Sequence, residues 1–353
     1  MTKVAIIGSH GLYANYGGWD QLVKNLAEKK IGPDIEYLIF NSKESKKDIT
    51  PPQGVKVKFI NLKASGFEGI FYDFWTILIC YFKVDVLLLL GVQGISLISI
   101  LSILKKKTVI SNVGGLEWER PKFGAMAKWY LKFCFNLCFR LSKNVILDNE
   151  HYLTFTPKKY IYKTAIIPYG GEIDSSLTVT EEMLAKYPFL NEKYFLSISR
   201  ALEDNCIREL CETFEKTTQK LVLISNLSSS EYGKQILERF SNIPNILLIN
   251  GLYVKAELDL VRRNCVAYIH THTLCGTAPS LVEMIICQRP IISVNVPQNK
   301  FTLANQGAYY SSYAELLNLV ESDLNFNSLI PSADLCIQYN WDLIVKRYEN
   351  LYV

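Results

Sequence analysis

The segment His270-Thr271-His272-Thr273-Leu274-Cys275-Gly276-Thr277-Ala278-Pro279-Ser280-Leu281-Val282-Glu283 has the composition of an anion-binding turn. An apolar run over 266–270 leads into a Gly/Thr/Ser loop, and Pro279 suits the first turn of a following helix, where its missing N–H removes no bond. Backbone N–H groups between Gly276 and Leu281, aided by the helix dipole, would attract a phosphate. Glu283, one turn inside, has the reach to accept bonds from ribose hydroxyls. The bland alternative is a plain strand-to-helix turn. His270 and His272 lack a third partner for a metal, so they read as hydrogen-bonding residues.

Three further groups sit after apolar runs. Gly8-Ser9-His10-Gly11, then Tyr16-Gly17-Gly18-Trp19-Asp20, open a helix with Leu22, Val23 and Leu26 on one face. These glycines allow either close approach of a ligand or a tight structural turn. Their spacing is wrong for GxGxxG, which argues against NAD. Asn112-Val113-Gly114-Gly115-Leu116-Glu117-Trp118-Glu119-Arg120 follows the run 107–111. A carboxylate there would either meet a sugar hydroxyl or an acceptor proton, or simply be solvated. Arg200, after the run 194–198, is placed either to clamp a diphosphate or to face solvent. In the segment 122–143, Lys128, Lys132, Asn136 and Arg140 recur every four residues beside Trp129, Tyr130 and Phe133. That pattern suits either an ordinary domain helix or one lying on an anionic membrane surface.

Positioning these groups requires strands whose carboxyl ends share an edge. Short apolar runs at 4–8, 36–40, 55–60, 85–90, 107–111, 144–148 and 164–167, then 194–198, 220–225, 245–249, 266–270 and 290–294, alternate with helical stretches. Such alternation predicts parallel sheets covered by helices. The pattern restarts after a polar stretch near 170–192, which predicts two domains with a hinge. The expected division is 1–170, 171–335, and a closing helix in 336–353 that packs back on the first domain. Ligands of open α/β sheets bind outside the carboxyl ends, so the expected site is a cleft between two facing sheets.

Composition bounds the alternatives. Of 353 residues, 49% are hydrophobic and 20% charged, which fits large cores rather than disorder. A net charge of +4 is too small for a dedicated nucleic-acid binder, so no nucleic-acid partner is expected. The nine cysteines form no CxxC pair and read as buried thiols of a reducing cytoplasm. No secretory signal is expected at the N-terminus. The apolar stretch from Phe67 to Leu104 is broken by Lys83, Asp85, Gln93 and two glycines. It reads as a helix (71–82), a strand (85–90) and a second helix ending at 105–107 rather than a membrane span.

Taken together, these motifs resemble glycosyltransferase family 4, and more narrowly its rhamnosyltransferase-like branch of capsule, O-antigen and rhamnan synthesis. Tyr16–Asp20 is similar to the family's YGG[FW]E opening. Residues 112–120 resemble its N-[IV]-D-G-L-E-W-[KE]-R segment, Arg200 to Cys206 loosely its R-x-x-P-E-N-N stretch, and 267–283 its A-Y-I-H-x-H-x-x-G-G-T-N-P-S-L-x-E signature. The resemblance implies a GT-B arrangement of two Rossmann-like domains and a retaining, metal-independent reaction without cofactor. It implies a nucleotide-sugar donor, dTDP-rhamnose the first candidate, and an undecaprenyl-diphosphate-linked saccharide acceptor. The enzyme would be cytoplasmic and peripheral on the inner face of the plasma membrane. Gly17, Gly18, Arg200, Asn205, His272, Gly276, Thr277, Ser280, Leu281 and Glu283 would bind the donor. Arg200, Glu117, Asp20 and His10 would serve catalysis, the last three by positioning sugar hydroxyls. Lys128, Trp129, Lys132 and Arg140 would face the membrane. Gly114 stands where relatives carry Asp, Ala278 where they carry Asn, and Cys275 where they carry Gly. These departures keep two alternatives open: a non-catalytic homologue that binds nucleotide or scaffolds a pathway, and a nucleotide-sugar epimerase.

Overall fold

The structure, a computed structural model, describes residues 1–14, 17–119 and 123–352. Tyr16 and Arg120, ends of two of the motifs above, lie outside the described residues. The chain divides into two compact units, Met1–Tyr169 with Trp341–Val353, and Gly170–Asn340. Residues 336–340 therefore lie with the second unit, and only the segment from Trp341 joins the first.

The first unit holds a seven-stranded parallel sheet in the order β3-β2-β1-β4-β5-β6-β7. Its strands are β1 (Thr2–Ile7), β2 (Ile35–Asn41), β3 (Val55–Phe59), β4 (Val86–Leu90), β5 (Thr108–Asn112), β6 (Asn144–Leu147) and β7 (Thr164–Ile166). The central β4, Val-Leu-Leu-Leu-Leu, is buried throughout because helices cover both of its faces. The edge strand β3 alternates, with Lys56 and Lys58 turned towards solvent. On one face, α2 (Glu68–Cys80), α3 (Ile95–Leu101) and α4 (Ala125–Leu141) bury Tyr72, Ile77, Ile95, Ile98, Cys134 and Phe139 against Ile7, Leu87, Leu89 and Val145. On the other, α1 (Gly18–Glu28) packs beside the chain's last helix, Trp341–Glu349.

The second unit repeats the plan with six parallel strands in the order β10-β9-β8-β11-β12-β13. These are β8 (Phe195–Ile198), β9 (Leu221–Ser225), β10 (Ile246–Asn250), β11 (Ala267–His270), β12 (Ile291–Val294) and β13 (Ala308–Tyr310). The helices of this unit are α5 (Glu181–Lys186), α6 (Ile207–Phe214), α7 (Glu231–Phe240), α8 (Lys255–Asn264), α9 (Pro279–Ile286), α10 (Pro297–Thr302), α11 (Tyr313–Glu321) and α12 (Ala333–Gln338). The last helix, Trp341–Glu349, is α13. All twelve apolar runs are strands. The thirteenth strand, β13, was not expected: three residues, Ala-Tyr-Tyr, pair with β12 at the sheet edge, too short a run to show a period.

Helix α13 is held in the first unit by shape and by specific bonds. Ile344, Val345 and Tyr348 are buried with Leu22, Val23 and Leu26 of α1, each worth roughly 1.5–3 kcal/mol of apolar burial. Trp341 meets Tyr169 edge-on at 5.0 Å. Glu349 accepts from the N–H groups of Ile31 and Gly32 at 3.0 and 2.8 Å.

Candidate functional site

In each sheet the strand order reverses direction once, between β1 and β4 and between β8 and β11. At such a switch point the connecting loops diverge to opposite faces and leave a crevice above the carboxyl ends. Three of the four sequence motifs begin there. The loop from Gly8 follows β1, Arg200 follows β8, and Thr271–Ala278 follows β11; the Asn112 segment follows β5, next to β4.

In the second unit the two switch-point loops are tied together. The hydroxyl of Thr271 donates to the carbonyl of Asn205, and that of Thr273 to the carbonyl of Asp204 at 3.2 Å. Asn205, expected to touch donor, is buried and its Nδ2 donates to the carbonyl of Arg200 at 2.8 Å, so it braces this loop from within. The Arg200 side chain is exposed above it. Behind the second loop, Gln298 Nε2 donates to the carbonyl of Thr273, and Asn299 Nδ2 to that of His272 at 3.1 Å.

Helix α9 starts at Pro279. Its N-cap, Ala278, is extended and brings no side-chain acceptor, and the first turn holds no acidic residue. Asn at this position would have offered its own cap, typically worth ~1 kcal/mol. Ala leaves the helix's positive end to another acceptor. Gly276 and Thr277 are buried in the turn. Leu281 is wholly buried, and its N–H donates to the carbonyl of Ala278 at 3.0 Å, so it packs the turn from within. Ser280 is bonded to Tyr268, whose hydroxyl also lies 3.3 Å from His270 Nδ1. The His270 and His272 rings lie 4.5 Å apart. Burial, with His272 beside it, holds the His270 imidazole well below the usual histidine range, hence neutral. Its Nε2 and the Ser199 hydroxyl, at the ends of neighbouring strands, are buried with no partner among the described residues, a cost of about 1–3 kcal/mol each unless water or a ligand meets them.

Glu283 is held differently from the expectation. Its carboxylate pairs with Arg262, which is 4% exposed and also meets Asp259 at 2.5 Å. Asp259, wholly buried, further accepts from Lys255 and from the backbone N–H of Asp174 at 2.8 Å. Burial raises the Glu283 carboxyl while Arg262 opposes that rise. Burial also works against the Arg262 charge, but Glu283 and Asp259 outweigh it and raise its pKa. Nothing in Lys255-Ala256-Glu257-Leu258-Asp259-Leu260-Val261-Arg262-Arg263 marks Arg262, rather than Arg263, as the buried one, and sequence reasoning missed it.

In the first unit, Gly8 adopts φ +97° and a Cβ there would sit 2.0 Å from the carbonyl oxygen of Leu90. Only glycine lets β1 and β4 end this close together. Asp20 is wholly buried. It accepts the N–H of His10 at 2.9 Å, and its other oxygen lies 3.5 Å from His10 Nδ1. Asp20 therefore fixes the loop and the imidazole rather than presenting itself to a sugar. On the far side His10 Nε2 lies 3.8 Å from Glu44, a carboxylate that the sequence did not single out. Gly17, the N-cap of α1, has no atom of the described residues within 4 Å of where a Cβ would stand, and Gly18 begins the helix. Asn112 donates to the hydroxyl of Tyr348 and accepts the N–H of Gly114 at 3.0 Å. Gly114 sits at φ +60° with Trp19 2.9 Å from where a Cβ would be, so a side chain here would require Trp19 to shift. Glu117 lies half-buried in a single 3-10 turn beside buried Trp118.

On α4, Trp129, Lys132 and Arg140 are exposed and Lys128 is half-buried. Among the described residues no helix is long and apolar enough to cross a membrane, no group of His, Cys, Asp and Glu is arranged to hold a metal, and no disulfide forms.

Residues 1–172 match a family model described as Domain of unknown function (DUF1972). No curated protein matches the chain. Among solved structures the chain is similar to sucrose-phosphate synthase from Thermosynechococcus elongatus, with a TM-score of 0.77 and 15% identity over 100% of this chain and 98% of that one. It is similar to HepE of Anabaena in complex with UDP-glucose (TM-score 0.73, 13% identity, 99% of each chain covered). It is also similar to an α,α-trehalose-phosphate synthase (UDP-forming) from Burkholderia xenovorans in complex with glucose-6-phosphate (0.72, 11%, 100% of each). At these identities the likeness speaks for architecture: both units are parallel-sheet, Rossmann-like domains, and the fold is that of GT-B glycosyltransferases.

Proposed function

We propose that the protein is a nucleotide-sugar-dependent glycosyltransferase. The observation that carries this reading is the junction of the Arg200 loop and the α9 N-terminus at the switch point of the second sheet. A guanidinium and an uncapped helix start placed on adjoining loops suit a diphosphate. Breaking the bond between sugar and nucleotide builds charge on that diphosphate, and both groups would stabilise it in the transition state. The names of the similar structures, which include UDP and UDP-glucose, support the donor class. The finer reading follows the sequence resemblance: a hexose-type sugar, dTDP-rhamnose the first candidate, moved with retention to an undecaprenyl-diphosphate-linked saccharide at the inner face of the plasma membrane. In that reading the leaving phosphate helps remove the acceptor's proton. This is compatible with glycine at 114, while His10 (held by Asp20) and Glu117 orient sugar hydroxyls.

A thermal-shift screen of dTDP-, UDP- and GDP-sugars tests the donor, since a ligand that binds only the folded state stabilises it. One of the three is expected to raise the melting temperature, and Arg200→Ala to lower transfer to a lipid-linked acceptor by about 100-fold. No shift with any donor, or near-normal transfer by the variant, defeats the proposal.

A further inference from the structure

Helix α2 carries large apolar side chains on its outer side as well as its inner one, yet only the inner side is covered. Tyr72, Thr76, Ile77 and Cys80 face the sheet. Phe67, Phe71, Trp75, Leu78 and Phe82, spaced by three or four residues, form one outward stripe, and each is at least 50% exposed. At roughly 150–250 Å² per aromatic side chain, this stripe leaves on the order of 500 Å² uncovered, near the top of the ~300–600 Å² found for the largest patch of a typical monomer. The stripe continues onto its neighbours. Helix α3 lies against α2 and α4 on the same face of the sheet. Ile103 and Leu104 just after it are 83% and 74% exposed, and Trp129 and Phe133 of α4 stack outward at 5.8 Å.

Positive charges predominate around this face, although exposed Asp85, which accepts the N–H of Lys3 at 2.9 Å, lies beside Lys83. Lys83 follows α2, exposed Lys105 and Lys106 follow α3, and α4 carries Lys128, Lys132 and Arg140 with no acidic residue. Glu68, at the start of α2, is engaged by Lys43 at 2.6 Å. In a two-fold dimer built on this face each patch would meet itself and set lysines against lysines. Aromatic and leucine side chains ringed by lysines instead match the boundary between acyl chains and anionic headgroups.

We infer that the outer face of α2, with the end of α3 and the start of α4, is a docking surface for an anionic lipid bilayer, into which Phe71, Trp75 and Leu78 insert. The inference does not depend on the transfer reaction, and its test uses neither donor nor acceptor. The full-length protein is floated with vesicles of phosphatidylcholine alone or with about one-third phosphatidylglycerol. Strong binding is expected only to the anionic vesicles. Phe71→Ser/Trp75→Ser/Leu78→Ser is expected to weaken it by at least about 30-fold, and Lys105→Gln/Lys106→Gln by about 20-fold, with unchanged thermal unfolding. Should the triple variant fail to fold, Trp75→Ser alone, expected to lose about fivefold, serves in its place. The inference is overturned if the wild type does not float with anionic vesicles, or if the α2 variants float as well as it does. It is equally overturned if sedimentation shows a dimer that the same substitutions dissolve.

Discussion

Arg262 offers the sharpest test of how the second unit holds its candidate ribose-binding carboxylate. Replacing it by Met removes a buried guanidinium from between two carboxylates while keeping most of the side-chain volume. Taking one partner from a buried ion pair costs about 3–5 kcal/mol, because the other charge is left behind. Here the lower end applies. Asp259 keeps Lys255 and the Asp174 N–H, and the Glu283 side chain is 25% exposed, so water reaches it. About 3 kcal/mol in a domain of this size lowers its melting temperature by roughly 6–12 °C. The deficit carries a pH signature. Without Arg262 the already raised Glu283 carboxyl rises further, so the folded variant holds a proton that the unfolded chain releases. Its stability therefore falls as pH increases, and the gap from wild type is wider at pH 8 than at pH 5.5. Adding Glu283→Gln removes the orphaned charge and restores part of the loss. Calorimetry of the second unit's transition at both pH values is the assay. An Arg262→Met protein melting within about 2 °C of wild type, or a gap independent of pH, refutes the reasoning.

Burial pushes the Asp73 carboxyl up to about 8. Between pH 4 and 8 the folded state keeps a proton that the unfolded chain has lost, so wild-type stability declines by up to about 1.4 kcal/mol per pH unit from this group. Asp73→Asn is expected to flatten that slope in denaturant titrations and to be the more stable protein at pH 8; an unchanged slope counts against it. Gly8→Ala drives a Cβ into the Leu90 carbonyl at a positive φ and is expected to cost at least about 2 kcal/mol in the first unit, measured by urea unfolding. Removal of 341–353 strips Trp341, Ile344, Val345 and Tyr348 from the core of the first unit, an upper estimate of roughly 6–12 kcal/mol. That rivals a domain's entire stability, so the truncated chain is expected to lose the first unit's transition by circular dichroism.

The architecture was legible because parallel strands covered on both faces are written as unbroken apolar runs, as in Leu87–Leu90. Edge strand β13 escaped because three residues carry no period. The motifs fall on loops at the carboxyl ends of strands, since a loop's position in a doubly wound sheet follows from which strand precedes it. What individual side chains do there was much less readable. Asp20 and Asn205 look like ligand contacts in sequence, yet both turn inward to brace their own loops. The partner of Glu283 arrives from α8, 21 residues earlier in the chain, through packing that no local pattern encodes. Gly114 read in sequence as a departure from a family motif; its positive φ and the nearby Trp19 give glycine a conformational reason there.

The discontinuity of the first unit also bears on its birth. Its sheet is complete by Ile166, but α13 emerges from the ribosome only after the whole of Gly170–Asn340 has been made. At about 5–20 residues per second that is a wait of roughly 10–30 s, during which the α1 face of the nascent sheet lacks the cover that α13 will add. The intervening domain, whose chain is continuous, has no such delay and is free to fold first, reversing the order in which the two are synthesised. Chaperones that shelter exposed apolar surface would find their substrate in that interval, on the N-terminal half of the chain.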